Sequence, residues 1–423
     1  MVDTFIVGRT MGINALAGIG AAGSLMFFII GFSQGFTSGM AIPTAQAFGA
    51  GDYAKVKRSV TVNWISSLGV ALILSILSTF FLRDLLRFMN TPTEIIEYTY
   101  DYLIIVFGGM TTTILYNMLS NLMRALGDSR TPLYFLIVAM LTNVVLDYLF
   151  IVHFQWGTFG AGFATVLSQG VAVILLLWAI SRKWPLLQLD WKSFKIKRDE
   201  LLHHWRMGLP MGFQASIIAI GSLSVTFALN TLGPLAVAGF TASTKIDQVV
   251  VLILMSFGVA MATYVGQNYG AKQFDRIKAG VRAVTFLTIG VSVTATVILL
   301  LFGGSLVTIF ADESSHEVIH NFGQMYFNLT SPFYWILSLL FVYRYTLQGL
   351  GDSFTPTIAG IMELVMRVIA AFVLSDWLGF NGIVLANPLA WLGALIPLSI
   401  AYHRRKRTLL DERTFATVTP QKE

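Results

Sequence analysis

Long apolar runs, each close to the thickness of a bilayer, constrain this chain more than any other feature. Residues 60–82 and 281–302 are two examples. A run of roughly 20 apolar residues crosses a membrane as a helix, because a helix satisfies its own backbone hydrogen bonds there. The alternating segments of about ten residues that mark a membrane barrel are absent. Composition agrees: 55% of the 423 residues are hydrophobic and 12% are charged, against about 25% charged in an ordinary soluble domain. The pattern predicts eleven complete spans, at about 15–45, 58–82, 98–126, 131–152, 159–181, 206–230, 236–267, 280–305, 320–348, 354–375 and 380–402. Residues 1–10 read as the end of one further helix. Several spans exceed the minimum length, as tilted or projecting helices do.

The spans repeat. "ALAGIG" at 15 matches "AVAGFT" at 236, and "AQAFGAGDYAKVKRSV" at 45 matches "VGQNYGAKQFDRIKAGV" at 265. "RALGDSRTP" at 124 matches "QGLGDSFTP" at 348, and "GAGFAT" at 160 matches "GIVLAN" at 382. With the second pair aligned on Gly49 and Gly270, the offset stays between 221 and 224 residues. Six spans separate equivalent points, and an even number preserves direction, so the halves are parallel repeats. The organisation expected is an N-terminal lobe at 1–181, a connector at 182–205, a second lobe at 206–402 and a tail at 403–423. Trp184, Trp191 and Trp205 mark the basic connector as interfacial. In the repeated "GDSxTP", Gly127 and Gly351 are expected to end one helix in the left-handed conformation. Ser129 or Thr131, and Ser353 or Thr355, are expected to cap the next, with Pro132 and Pro356 in its first turn.

Charge sets the orientation. With the start of the chain inside, Lys55, Lys57, Arg58, Arg124, Arg130, the clusters at 182–206 and 272–282, Arg344 and the tail from Arg404 are all cytoplasmic. Only Arg9, Arg83 and Arg87 fall outside. This is the positive-inside bias. It accounts for the net charge of +6 without a nucleic-acid partner. Cysteine is absent, which excludes disulfides and thiolate chemistry. His203 and His204 are adjacent and point different ways on a helix, so they make no metal pair. Nothing in the sequence calls for a cofactor or an enzyme.

"VDTFIVGR", "RALGDSRTP", "TNVVLDYLFI" and "GAGFATVLSQ", in this order on a two-fold repeat, resemble the multidrug and toxic compound extrusion (MATE) transporters. The resemblance implies an all-α polytopic membrane protein: two parallel six-helix repeats, the first helix incomplete, around a central cleft. It implies a monomer in the bacterial cytoplasmic membrane with a cytoplasmic C-terminus, in contact with lipid. The function implied is antiport of amphiphilic, drug-like cations against protons or sodium ions. A flippase of lipid-linked sugars is the alternative, but its pyrophosphate would call for several cations in the cleft. Away from the span ends, only Lys245 and Arg367 lie within the expected spans.

Acids inside spans are costly and mark functional sites. Those well inside are Asp3, Asp147 and Glu363, with Asp101 and Asp247 nearer span ends. Asn143 lies one helical turn before Asp147. Depths at about 1.5 Å per residue place Asp147 and Thr165 at one level. The repeat pairs Asp3 with Val225, close to that level. The family's cation-site positions map onto the same four residues: Asp3, Asn143, Asp147 and Thr165. Such a set can hold a proton or a sodium ion. The repeat pairs Asp147 with Ala371, Asn143 with Arg367 and Thr165 with Asn387, which places the cation site in the first lobe only. No acid at 206–230 matches the branch with a glutamate in the seventh span. Glu363 and Arg367, four apart, read as an internal ion pair. Gln34, Tyr116, Asn117, Gln214 and Tyr334 are the substrate contacts expected at the cleft. The repeat also places the start of the first helix upstream of Met1, so the natural chain is expected to be longer at that end.

Overall fold

The computed structural model describes residues 6–7, 10–89, 91–189, 197–310 and 316–418. Among them there are helices and no strands. Ten helices are long and apolar enough to cross a membrane, and a bent pair makes an eleventh span. All eleven fall on the expected runs. Packing divides the chain into two units, 1–216 and 217–423.

The first unit contains α1 (Ile13–Gly49), α2 (Tyr53–Phe80), the short α3 (Leu82–Phe88), α4 (Thr93–Gly108), α5 (Met110–Ala125), α6 (Arg130–Asp147) and α7 (Gly157–Lys183). The first part of α8 (Arg198–Asn230) belongs to it as well. The seventh span was expected to begin at 206, but α8 starts eight residues earlier, with Asp199 and Glu200 in its first turn. Acids there oppose the positive end of the helix dipole. α4 and α5 form one span bent by 49°. Its break lies at Gly109, where a Cβ would run into the Val166 side chain.

Small residues let α8 lie against α1. A Cβ on Gly39 would stand 2.6 Å from the Met207 carbonyl oxygen and 2.8 Å from the Gly208 Cα. Gly35 meets the Met211 backbone in the same way, one turn away. Such close backbone approach is the packing that membrane helices use in place of a hydrophobic driving force. Polar contacts fix the register beside it. His204, 3% exposed, holds Nδ1 at 2.7 Å from the Glu200 carbonyl oxygen. A carbonyl only accepts, so Nδ1 donates. Neutral Nε2 then accepts from the Ser59 hydroxyl at 2.6 Å. Arg58 adds an ion pair with Glu200 at 2.9 Å, and the Trp205 indole donates to Ser66 at 2.9 Å.

The second unit comprises the rest of α8, α9 (Pro234–Gly270), α10 (Phe274–Val307), α11 (His316–Thr330), α12 (Tyr334–Gly349), α13 (Phe354–Ile369), the short α14 (Ser375–Leu378) and α15 (Phe380–Val384), and α16 (Ala386–Val418). The tail expected from 403 continues α16 to Val418. Arg, Lys, Leu and Glu there are good helix formers, and no Gly or Pro stops them.

The repeat is visible in backbone detail. Gly12 and Gly233 precede α1 and α9 with φ of 84° and 91°. Gly127 and Gly351 take φ of 96° and 92° in the "GDSxTP" turns, as expected. The caps differ from expectation. Asp128 Oδ1 accepts from the Thr131 N–H at 3.0 Å, and Oδ2 accepts from its hydroxyl at 2.7 Å. Asp352 does the same for Thr355, at 3.0 and 2.6 Å. The aspartates are the capping side chains, because a carboxylate reaches both donors at once whereas a serine hydroxyl reaches one. In the first unit the Trp184 indole also donates to Asp128 Oδ2, at 3.2 Å. Burial pushes the Asp128 carboxyl up, but these donors outweigh it and hold the group below the usual carboxylate range. Finally, α6 and α13 both run into a π-helical segment, Tyr148–His153 and Ala370–Leu374.

Candidate cation site in the first unit

Asp147 is the last of the 18 residues of α6, at the start of the π segment. Its side chain is 0% exposed. The widened turn shifts the helix face by one residue, and π segments of this kind recur at functional sites. Asn143 lies one turn earlier on the same face. Its Nδ2 is buried with no hydrogen-bond partner among the described residues. α7 packs along α6 and carries Thr165, whose hydroxyl donates to the Ala161 carbonyl at 3.0 Å. That leaves the oxygen lone pairs of Thr165 free to accept or to ligate.

Depth agrees with this grouping. Asp147 lies about 9 Å from the His153 end of its span, and Thr165 lies about 12 Å from the Gly157 end of α7. These ends are joined by a short connection. Asn143, Asp147 and Thr165 therefore belong to one level of one helix pair. Asp3 lies outside the described residues.

The expected substrate residues are spread more widely. Gln34 is exposed on α1. Tyr116 and Asn117 are half-buried on α5, and the Tyr116 hydroxyl donates to the Pro132 carbonyl at 3.3 Å. Gln214, on the first part of α8, is buried. Tyr334 is 0% exposed inside the second unit, and its hydroxyl donates to Asp247 Oδ1 at 2.6 Å.

The second unit corrects one reading. Arg344 was expected in a cytoplasmic loop, yet it lies in α12, 5% exposed, and donates to Glu363 Oε1. Arg367 approaches the other oxygen at 3.6 Å. Glu363 thus bridges two buried guanidiniums on two helices, and is more than the partner of Arg367 alone. Arg344 sits within two turns of a helix end, where sequence alone does not distinguish span from loop.

The MatE family model matches residues 1–149 and 210–373. The chain belongs to the MatE family of membrane transporters. One relative is the probable multidrug resistance protein YoeA of Bacillus subtilis (strain 168), 26% identical over 94% of this chain and 87% of that protein. Another is the multidrug export protein MepA of Staphylococcus haemolyticus (strain JCSC1435), 22% identical over 99% of this chain and 92% of that protein. Among solved structures, a MATE protein in its bent conformation superposes with a TM-score of 0.90 at 20% identity, covering 97% of this chain and 91% of that one. That likeness confirms the fold.

Proposed function

We propose that this MatE transporter exports amphiphilic organic cations by alternating access, in exchange for protons or sodium ions moving inward. The observation that carries the reading is Asp147. It is a fully buried carboxyl at a π segment, with Asn143 one turn away and Thr165 on the helix packed beside it. A carboxylate at that depth is tolerated where a small cation can come and go. The names of YoeA and MepA point to drugs as the exported class. Asp3 is the second carboxyl of the proposed site, and Gln34, Tyr116, Asn117 and Gln214 are the proposed substrate contacts.

Proteoliposomes holding the purified protein and a fluorescent lipophilic cation test the reading. An imposed proton or sodium gradient should drive dye movement, and Asp147→Asn should abolish it while dye binding persists. Gradient-driven transport at the wild-type rate in Asp147→Asn would refute the assignment. The gradient that works identifies the coupling ion.

A further inference from the structure

The sequence pairs the acid of the first unit with alanine in the second, which suggests that the second unit holds no ion chemistry. The structure places a different acid there. Asp247, on α9, is 6% exposed, and no basic side chain pairs with it among the described residues. Tyr334, on α12, donates to its Oδ1 at 2.6 Å. Tyr326, on α11, faces the same carboxyl and the side chains of Thr330 and Asn387. The hydroxyls of Tyr326 and Thr330 are buried without a hydrogen-bond partner of good geometry, and both residues are 0% exposed. Phe240 and Trp391 wall the cluster, edge-on to Tyr326 and tilted against Tyr334.

A carboxylate enclosed by aromatic rings, faced by two tyrosine hydroxyls and paired with no basic side chain among the described residues, must take up a cation or bear a buried charge without a counter-charge. A proton on Asp247 removes that charge. The protonated carboxyl then becomes a donor, and the Tyr326 oxygen facing it can accept. The other charged groups nearby are already engaged or turned away. Lys245, two residues earlier on α9, is exposed; Arg344 of α12 is held by Glu363; His320 of α11 lies against Gly304 of α10. The repeat offset pairs Asn387 with Thr165, so the cluster reuses that position but draws its acid from α9, whereas the first unit draws Asp147 from α6.

We propose that the second unit holds a proton-exchange site of its own, with Asp247 as the carboxyl that gains and loses the proton, and Tyr326, Thr330, Tyr334 and Asn387 as its polar surroundings. Infrared difference spectra of the full reconstituted protein, titrated with pH in sodium-free buffer, test this without any transport. A failed drug-export assay therefore leaves it standing, and its own failure leaves the export reading standing. A protonated-carboxyl band should be lost in Asp247→Asn and kept in Asp147→Asn. In Tyr334→Phe the midpoint of that band should move by about one pH unit, because one form of Asp247 loses its donor. If Asp247→Asn does not fold, the Tyr334→Phe shift decides. A band insensitive to both variants, or one that follows sodium at fixed pH, would overturn the proposal.

Discussion

A buried acid persists only where something answers its charge, and the structure shows different answers for different residues. Glu363 is answered by two arginines, Arg344 and Arg367, both nearly inaccessible. Glu363→Gln would leave two guanidiniums facing a neutral amide, and breaking a buried pair in this way costs about 3–5 kcal/mol. The variant should lower the denaturation temperature of the purified protein and its membrane yield. Wild-type stability and yield of Glu363→Gln would contradict the bridging role of Glu363. Asp147 was legible in the sequence because an acid in an apolar run, one turn after Asn143, needs only helical spacing to be noticed. Asp247 was noted only as an acid nearer a span end, because its partners Tyr334 and Tyr326 come from other helices. Arg344 was not placed in a span, since near a helix end the apolar pattern does not separate span from loop.

At the scale of elements, turns and crossings carry the information. The left-handed glycines of "GDSxTP" were readable because few other residues tolerate that backbone. The caps were misassigned to Ser or Thr because all are good N-cap residues and only geometry shows which side chain reaches two donors. Asp128 also holds the Trp184 indole, which Asp352 lacks. Asp128→Ala should therefore cost more than Asp352→Ala, each on the order of 1 kcal/mol. The pH dependence has a definite sign. Asp128 is held below its unfolded value, so its contribution is present above the ordinary carboxylate range and is lost as pH falls through the lower, folded value. Thermal unfolding of wild type and Asp128→Ala should converge as the pH is lowered through that window. The α1–α8 crossing gives a second test. Gly39→Val would push a branched side chain into the Met207 and Gly208 backbone, and should prevent folding or lower the melting temperature sharply. Gly69→Ala on α2, with nothing within 4 Å of the added Cβ, should be neutral or stabilise by up to about 1 kcal/mol. Similar losses from both would mean that the close crossing is unimportant.

For the whole molecule, the parallel repeat was legible because six spans separate matching motifs, and the paired π segments at 148 and 370 give it backbone detail that no residue pattern announced. The choice between drug export and lipid flipping rests on where positive charge is free. A lipid-linked pyrophosphate carries several negative charges and needs cations that are not already committed. The second unit does bring Arg344 and Arg367 inside the spans, one more than the sequence suggested, but Glu363 contacts both and each is about 5% exposed. Among the described residues away from the span ends, Lys245 on α9 is left as an exposed cation. One such ammonium is a poor receptor for a diphosphate, whereas a lipophilic cation needs apolar and aromatic surface and at most one acid. Liposomes holding the full chain should therefore move a lipophilic cationic dye under an ion gradient, and should leave a fluorescent polyprenyl-diphosphate sugar at the rate of empty vesicles. Glu363→Gln sharpens the test, since it frees both arginines. If committed charge is what bars anionic lipids, the folded fraction of that variant should bind the diphosphate lipid more tightly than wild type does. Scrambling by the wild-type protein, with no dye movement under either gradient, would reverse the assignment.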